Sequence, residues 1–441
     1  MTPDHRPAQR TVARGLLAAA IVLAAALPPS ALAQQPGGAA PAADLVRAAM
    51  VAPLDAARTL VGQGKAQEAM AKLAEAEAMG ALSPYETMIV QRNRAVAAQA
   101  LGDTALMNSS IEAALATGKV EAADELALIE SLVGNAGRAR DHARVLRWSQ
   151  RYIDLKGPND VVRQVRISSL IGSGDERGGL AALTERALAD TAVGRPATEP
   201  TLRSMLYLQR RLNDAAAGPT LEQLAQRFPR PEYWLDLIAP ATRRLADNDR
   251  AVAELYRLLR AVGALNSAEM HEALAQMAIR AGQPVEAQTI VDEGYAAGLL
   301  GSGAKAAEHQ KLREQARKQA AADIADRAAA ETAARRAADG SAMVDLGWSM
   351  ITGQPRTGAA PELTERGLAL IEQGLAKGGV KRPAEARLHL GVAQLLAGRK
   401  DAAKLTLSAL VGTSGAEALA EPTRLWALWA GAAAPLPPYK P

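Results

Sequence analysis

The stretch "LHLGVAQLLAGRKDAAKLTLSAL", Leu388 to Leu410, carries apolar residues at helical spacing on both sides of Gly398, yet Gly391 sits inside its first helical half. A glycine in a helix interior costs about 1 kcal/mol relative to alanine. Something must offset that cost. The stretch reads as two antiparallel helices joined by a tight turn at Gly398, with the small residues Gly391 and Ala403 facing each other across the pair. Close packing is what the missing side chains gain.

The same grammar recurs in "GKAQEAMAKLAEAEAM" from Gly64 and "GQPVEAQTIVDEGYAAG" from Gly282. The small residue early in each second helix serves as a ruler: Ala69, Met107, Ala143, Gly179, Ala215, Ala251, Ala287, Gly367 and Ala403. The steps are 38, 36, 36, 36, 36, 36, 80 and 36. Ala69, Ala251, Ala287 and Ala403 are placed by pattern; Ala143 and Ala215 are placed largely by spacing, the latter close to Pro219. A period of this size means stacked helix pairs.

Composition agrees. Of 441 residues, 49% are hydrophobic, mostly Ala and Leu, 22% are charged and only 3% are aromatic. Scarce aromatic and β-branched residues argue against a sheet, and Ala, Leu, Glu, Arg and Lys favour helix. The absence of cysteine removes disulfides, thiolate metal sites, a cysteine nucleophile and a lipid-anchoring motif. The formal charge is +4, and no Lys/Arg stripe interleaves with aromatics, so the expectation is no nucleic acid.

Residues 1–33 read as a cleaved export signal: a basic start, an apolar run from Gly15 to Leu27 and Ala31-Leu32-Ala33 before Gln34. The run is too short to span about 30 Å of hydrocarbon. The expected cleavage lies between Ala33 and Gln34, giving a periplasmic protein with no stable membrane insertion. Residues 34–44 read as a flexible leader.

The residues of the quoted stretch resemble the tetratricopeptide repeat (TPR) family: Leu390, Gly391, Gly398, Ala403 and Leu407 stand where that family has its Leu-Gly, turn glycine, small alanine and large apolar residue. Gly64, Ala69, Leu73 and Ala76 match in the same way, as do Leu274, Gly282, Ala287 and Val291. The family's aromatic positions are mostly Ala, Leu or polar here. The resemblance covers most of residues 45–300 and 341–412, and the run through "RLWALW" is also similar to uncharacterised periplasmic TPR proteins of proteobacteria. It implies an all-α fold, a right-handed α-solenoid of stacked helix-turn-helix repeats, whose concave groove of first helices binds protein segments.

The step of 80 holds an insertion. Ala304 to Asp339 contains no Gly or Pro, and Leu312 and Ile324 are its only large aliphatics. Glu314–Lys318, Asp323–Arg327 and Glu331–Arg335 are acid-before-base pairs four apart, as on an exposed helix. The expected organisation is therefore a solenoid over 45–300, a long charged Ala-rich helix over 301–340, further repeats over 341–412, a capping helix over 413–434 built on Leu425, Trp426, Leu428 and Trp429, and a Pro-rich tail over 435–441.

Catalytic motifs break on inspection. "HEALA" at His271 lacks the second histidine of a zinc protease helix. His142, His271, His309 and His389 are scattered and read as helix-surface residues. "SGAK" at Ser302 lacks its partner motifs, "GSGDERGG" at Gly172 lacks the ending of a phosphate loop, and "GTSG" at Gly412 is no nucleophile elbow. Tyr233 and Trp234 remain as candidate partner-binding anchors, with burial in the core the equal alternative. The expected function is a non-enzymatic protein–protein interaction scaffold in the bacterial periplasm, with no cofactor and no metal, whose partner is a cell-envelope protein. Envelope assembly, polysaccharide export and a TonB-type complex are analogies. The alternatives are a cell-wall enzyme of lytic transglycosylase type and a structural oligomeric spacer.

Overall fold

The structure is a computed structural model that describes residues 44–432 apart from 229, 357 and 414. The export segment with its Ala33–Gln34 junction, residues 34–43 of the leader and the tail 435–441 lie outside the described residues. Every described element is helical, and none of the helices is long and apolar enough to cross a membrane. The chain divides into two compact units at Ala189/Asp190. That boundary falls inside the segment 45–300 read from the sequence as one solenoid.

Unit 1 holds α1 (Ala48–Gly62), α2 (Ala66–Glu77), α3 (Pro84–Leu101), α4 (Thr104–Ala116), α5 (Ala122–Ala139), α6 (His142–Asp154), α7 (Asp160–Gly172) and α8 (Glu176–Ala192), whose last turn runs past the boundary. Helices from α1 to α7 pack each on the next, and α1 reaches α3 as α5 reaches α7. The hairpin turns share one backbone device. The first helix ends on a left-handed residue: Gly64 (φ 77°), Gly102 (φ 74°), Arg140 (φ 57°) and Gly174 (φ 88°). The next N–H then donates back five residues, as in Asp103 to Ala98 and Asp141 to Ala136, both at 2.9 Å. Asp103, Asp141 and Asp175 each cap the second helix through a side-chain oxygen.

Five residues beyond each left-handed residue stands the one that packs: Ala69, Met107, Val145 and Gly179, all buried. The ruler is thereby corrected at two positions. Ala143 is exposed and Val145 fully buried, because the turn residue is Arg140 and residue 143 lies only three beyond it. Ala215 is likewise exposed and precedes its helix. The alanines placed by pattern, Ala69, Ala251, Ala287 and Ala403, are all fully buried.

Unit 2 begins with α9 (Glu199–Arg211), α10 (Ala217–Arg227), α11 (Pro231–Arg244), α12 (Asp249–Ala261), α13 (Ala268–Arg280) and α14 (Pro284–Ala296). The long α15 (Ala306–Arg336) follows, then α16 (Ser341–Thr352), α17 (Pro361–Lys377), α18 (Pro383–Leu396), α19 (Lys400–Leu410), a 3-10 turn (Glu417–Leu419) and α20 (Ala420–Ala430). Again each helix packs on the next. Gly282 and Gly398 are left-handed and stand five before Ala287 and Ala403. Gly391 does not meet Ala403, however. A Cβ on Gly391 would lie 2.6 Å from Leu407 Cγ. In an antiparallel pair, residues meet at similar distances from the turn. Gly391 is seven before Gly398, midway between the offsets of Ala403 and Leu407 after it, and it is the Leu407 side chain that reaches into the space beside Gly391.

The two halves of unit 2 also pack on each other, in antiparallel order. α14 touches α16, while α12 and α10 touch α20. α12 reaches α18 through Arg250–Glu385 at 3.4 Å and His389–Glu254 at 3.2 Å. Arg424 of α20 pairs with Glu222 of α10 at 2.6 Å. Helix α15, about 46 Å long at 1.5 Å per residue, makes the reversal. It is the long helix expected from the insertion, and most of it is exposed, but both ends are docked. His309, Leu312, Ala316 and Ala320 are buried, Arg313 and Arg317 pair with Asp292 of α14, and Ala334 joins a core with Met343, Met350 and Leu370. Of the expected pairs, Glu331–Arg335 forms at 2.9 Å, whereas Glu314 accepts from Gln310. The capping helix is also more than an end cover. Leu425 and Trp426 are buried, and α20 lies against α19, α18, α12 and α10.

The closest helix approach is that of α16 and α17. A Cβ on Gly367 would lie 2.7 Å from the Gly347 carbonyl oxygen, and one on Gly374 would lie 2.7 Å from that of Gly340. Two glycine pairs seven residues apart let backbone meet backbone. Gly347→Ala, whose methyl would fall on the Gly367 carbonyl, should lower stability by about 1–3 kcal/mol or more. Gly62→Ala, with open space around its Cβ position, should be neutral or raise stability by up to about 1 kcal/mol. Thermal melts of the two variants check this; equal shifts would remove the packing role of the glycines.

Candidate functional site

The first helices of the second half of unit 2 are α16 and α18, followed by the capping helix α20. A groove lined by first helices was the expected place for a partner segment, and here α14, α12 and α10 of the same unit cover all three helices. At the centre of this covered surface lies Arg257. It donates to both oxygens of Glu286 at 2.7 Å and to Glu254 at 2.5 Å. Its guanidinium stands 5.4 Å from the Trp348 ring, which stacks on His389 at 3.9 Å with planes 4° apart. Arg260, one turn on, pairs with both oxygens of Glu293 and donates to the carbonyls of Thr352 and Gln354.

Burial alone would lower the arginine's pKa, but Glu286 and then Glu254 outweigh it and hold Arg257 charged. Burial likewise pushes Glu254 and Glu293 up, and their arginines reverse that, leaving both below the usual carboxylate range. Such carboxylates are ionised and paired, Glu254 fully buried and Glu293 half-buried. They fasten helices together and have no proton to give at neutral pH.

Tyr233 and Trp234 open α11 and are buried inside unit 2, not displayed on a groove. The Tyr233 hydroxyl donates to Glu199 Oε1 of α9 at 2.5 Å, and Arg230 pairs with the same carboxylate. Burial, then the Glu199 hydrogen bond, pushes the phenol pKa up. The anchor reading is therefore corrected: helix spacing placed both rings on α11 but did not say which face the unit covers. The histidines are corrected too. His271, His309 and His389 are buried. His271 Nδ1 lies 2.9 Å from the Ser267 carbonyl, and His309 Nδ1 accepts from Gly301 N–H. Among the described residues no group of three His, Cys, Asp or Glu side chains is placed to hold a metal. The repeat residues Leu73, Leu274, Ala287 and Leu407 are core, as are Ala69 and Ala403.

An accessible cleft lies elsewhere, in unit 1. Glu112 and Ala116 of α4, with Arg147, Trp148 and Arg151 of α6, line a cleft of about 320 Å³. Trp148 forms its floor, with the Arg147 guanidinium 4.6 Å above the ring centroid. Glu112 Oε1 accepts a hydrogen bond from Trp148 Nε1 at 2.9 Å and forms ion pairs with Arg144 Nε at 3.2 Å and Arg147 Nη2 at 3.4 Å. Arg151 is turned to Glu125 of α5 at 2.6 Å. Behind the cleft, Tyr152 is fully buried and donates to Glu130 at 2.5 Å; burial, then that hydrogen bond, pushes its pKa up to about 12. Both walls are second helices of their hairpins, not the first helices that the repeat reading favours. The signal was present in "HARVLRWSQRY", where arginines 144, 147 and 151 share one helix face beside Trp148.

No protein-family model and no curated protein matches this sequence. Among solved structures, it is similar to the TPR domain of P58(IPK), 11% identical, over 86% of this chain and 98% of that one, with a TM-score of 0.21. The helix-hairpin fold described above stands on the chain's own contacts.

Because the rings of α11 are core, Tyr233→Ala with Trp234→Ala should lower thermal stability strongly, a buried Trp alone costing about 3–5 kcal/mol. A melting temperature equal to that of the unaltered protein would return both rings to the surface.

Proposed function

We propose that this chain is a non-enzymatic interaction scaffold of the bacterial periplasm that holds a protein segment on unit 1. The observation that carries the reading is the α4–α6 cleft, with Trp148 at its base and arginines at its edge, while in the second half of unit 2 the helices α16, α18 and α20 are covered by α14, α12 and α10. Aromatic and arginine side chains together are the residue types that anchor protein partners. The export reading rests on residues 1–33. Against the cell-wall enzyme stands the chemistry of the carboxyls: a glycosidic general acid is a glutamate or aspartate held protonated. Glu254 and Glu293 are shifted the opposite way, and Asp323 and Asp345, which burial pushes up, lie on the separate helices α15 and α16.

The test is a photo-crosslinking residue placed at Arg147 in the native cell, with one at Ala321 on the exposed part of α15 for comparison. The scaffold reading expects a discrete heterologous adduct from position 147 alone, on protein whose intact mass starts at or near Gln34. Adducts only with a second copy of the chain would favour the oligomeric spacer. Muropeptide release by the purified protein, abolished by one glutamate substitution, would overturn the scaffold reading, and retention of the apolar segment in a membrane fraction would overturn export.

A further inference from the structure

The seam along which the two halves of unit 2 meet is tied by ion pairs and single hydrogen bonds. Arg250 pairs with Glu385 at 3.4 Å, Arg244 with Glu421 at 3.3 Å and Arg424 with Glu222 at 2.6 Å. Each pair has at least one partner well open to water, where an ion pair contributes little. Asn248 donates to the Ala418 carbonyl at 3.1 Å and Thr289 to that of Gly353 at 2.7 Å. Inside the seam, Arg257 and His389 both meet Oε1 of Glu254, while Oε2 of the same carboxylate is buried without a hydrogen-bond partner. Thr423 Oγ1 and Trp426 Nε1 of α20 are buried and unpartnered as well. A polar atom held in this way is costly, and contact with water removes the cost.

The halves themselves are held differently. Glycine backbones meet between α16 and α17, and Ala287 of α14 and Ala403 of α19 are fully buried in their hairpins. The chain passes from one half to the other only through α15. His309, Leu312, Ala316 and Ala320 dock its first part, Ala334 packs with α16 and α17, and residues 321–333 between these are exposed or half-exposed. Tight hairpins joined across a polar seam are the arrangement in which part of a structure opens without unfolding.

We propose that unit 2 is a clasp: α16 to α20 part from α10 to α14 along the polar seam while each half keeps its hairpin packing. The open state presents the Trp348–His389 face, which α12 covers in the closed one through Glu254 and Arg257. Helix α12 is thus an internal occupant of a first-helix surface, and its contact with that surface is autoinhibitory. The clasp goes beyond the scaffold reading and does not rest on the α4–α6 cleft.

The experiment uses the full chain, which contains no cysteine, so that a single introduced thiol reports alone. Val392 is the seam position. It is buried and continues the face of α18 on which Glu385 and His389 meet α12, seven residues after the first and three after the second. Val392→Cys should react with dithionitrobenzoate under native conditions about tenfold or more faster than Ala287→Cys or Ala403→Cys, which sit inside the hairpins. Arg424→Glu places a third carboxylate beside Glu222 and Glu421, and should speed the Val392→Cys reaction about tenfold again while leaving the two hairpin thiols within about twofold. Arg250→Glu, which sets like charges against each other at the α12–α18 pair, should act in the same direction. Equal rates for the three thiols, or equal acceleration of all three by the charge reversals, would mean that the seam opens only when the unit unfolds, and would overturn the clasp. So would a Val392→Cys rate that neither reversal changes.

Discussion

A left-handed residue at the end of a first helix is the constraint on which both units are built. It reverses the chain within a residue or two, lets the next N–H close back onto the helix, and fixes how far the second helix has advanced when it first touches the first. The offset of five residues from turn to contact is the same at Gly64, Gly102, Arg140, Gly174, Gly282 and Gly398. Glycine is the natural occupant, because a side chain in this conformation costs about 1–2 kcal/mol. Arg140 and Asn213 bear that cost, and each is followed by an aspartate that binds the first turn of the next helix, an interaction of about 1 kcal/mol. The turn survives loss of its glycine because its hydrogen bonds are unchanged.

Helix hairpins stacked only on their neighbours would leave a one-dimensional array. Unit 2 departs from this because α15 is long enough to bring α16 to α20 back over α14 to α10. The surface so closed contains charge, and charge in an interior is costly unless every group is paired. Arg257 sits where α12, α14, α16 and α18 converge, and its partners come from α12 and α14 while Trp348 and His389 meet it from the other half. Removing one partner of such a set costs about 3–5 kcal/mol, since the charge left behind stays buried. The polar centre therefore specifies register: a shift of α12 by one residue would strand Arg257 among apolar side chains.

Periodicity made the helix hairpins legible, and the glycine turns made their register legible wherever glycine was kept. Ala69, Ala251, Ala287 and Ala403 were readable because small residues recur beside Gly or polar turns. Val145 was not, because Arg140 adopts a glycine's conformation without announcing it, and a spacing of 36 led to Ala143 instead. The glycines of α16 and α17 show the limit from the other side: Gly367 was visible as a small residue, but that it meets the Gly347 backbone is a fact of pairing. The fold-back of unit 2 leaves no local trace at all. It depends on which faces are covered, and the same ignorance left Tyr233 and Trp234 undecided between surface and core and put the histidines outside the core. The α6 cleft was half legible: the arginine face could be read from spacing, but Glu112 lies 36 residues before Trp148 and joins it only through hairpin stacking.

The cleft's own carboxylate also sets the character of what it can do. Glu112, Asp141 and Glu125 stand opposite Arg144, Arg147 and Arg151, so the arginine face carries its own counter-charges. Pairs of this kind at a solvent-exposed edge are weak, and ionic screening acts on them within about 8–10 Å. Trp148 contributes differently. Its ring is held by the indole hydrogen bond and by the core beneath it, so the base of the cleft is fixed by the stacking of the hairpins while its rim is fixed only by surface charge.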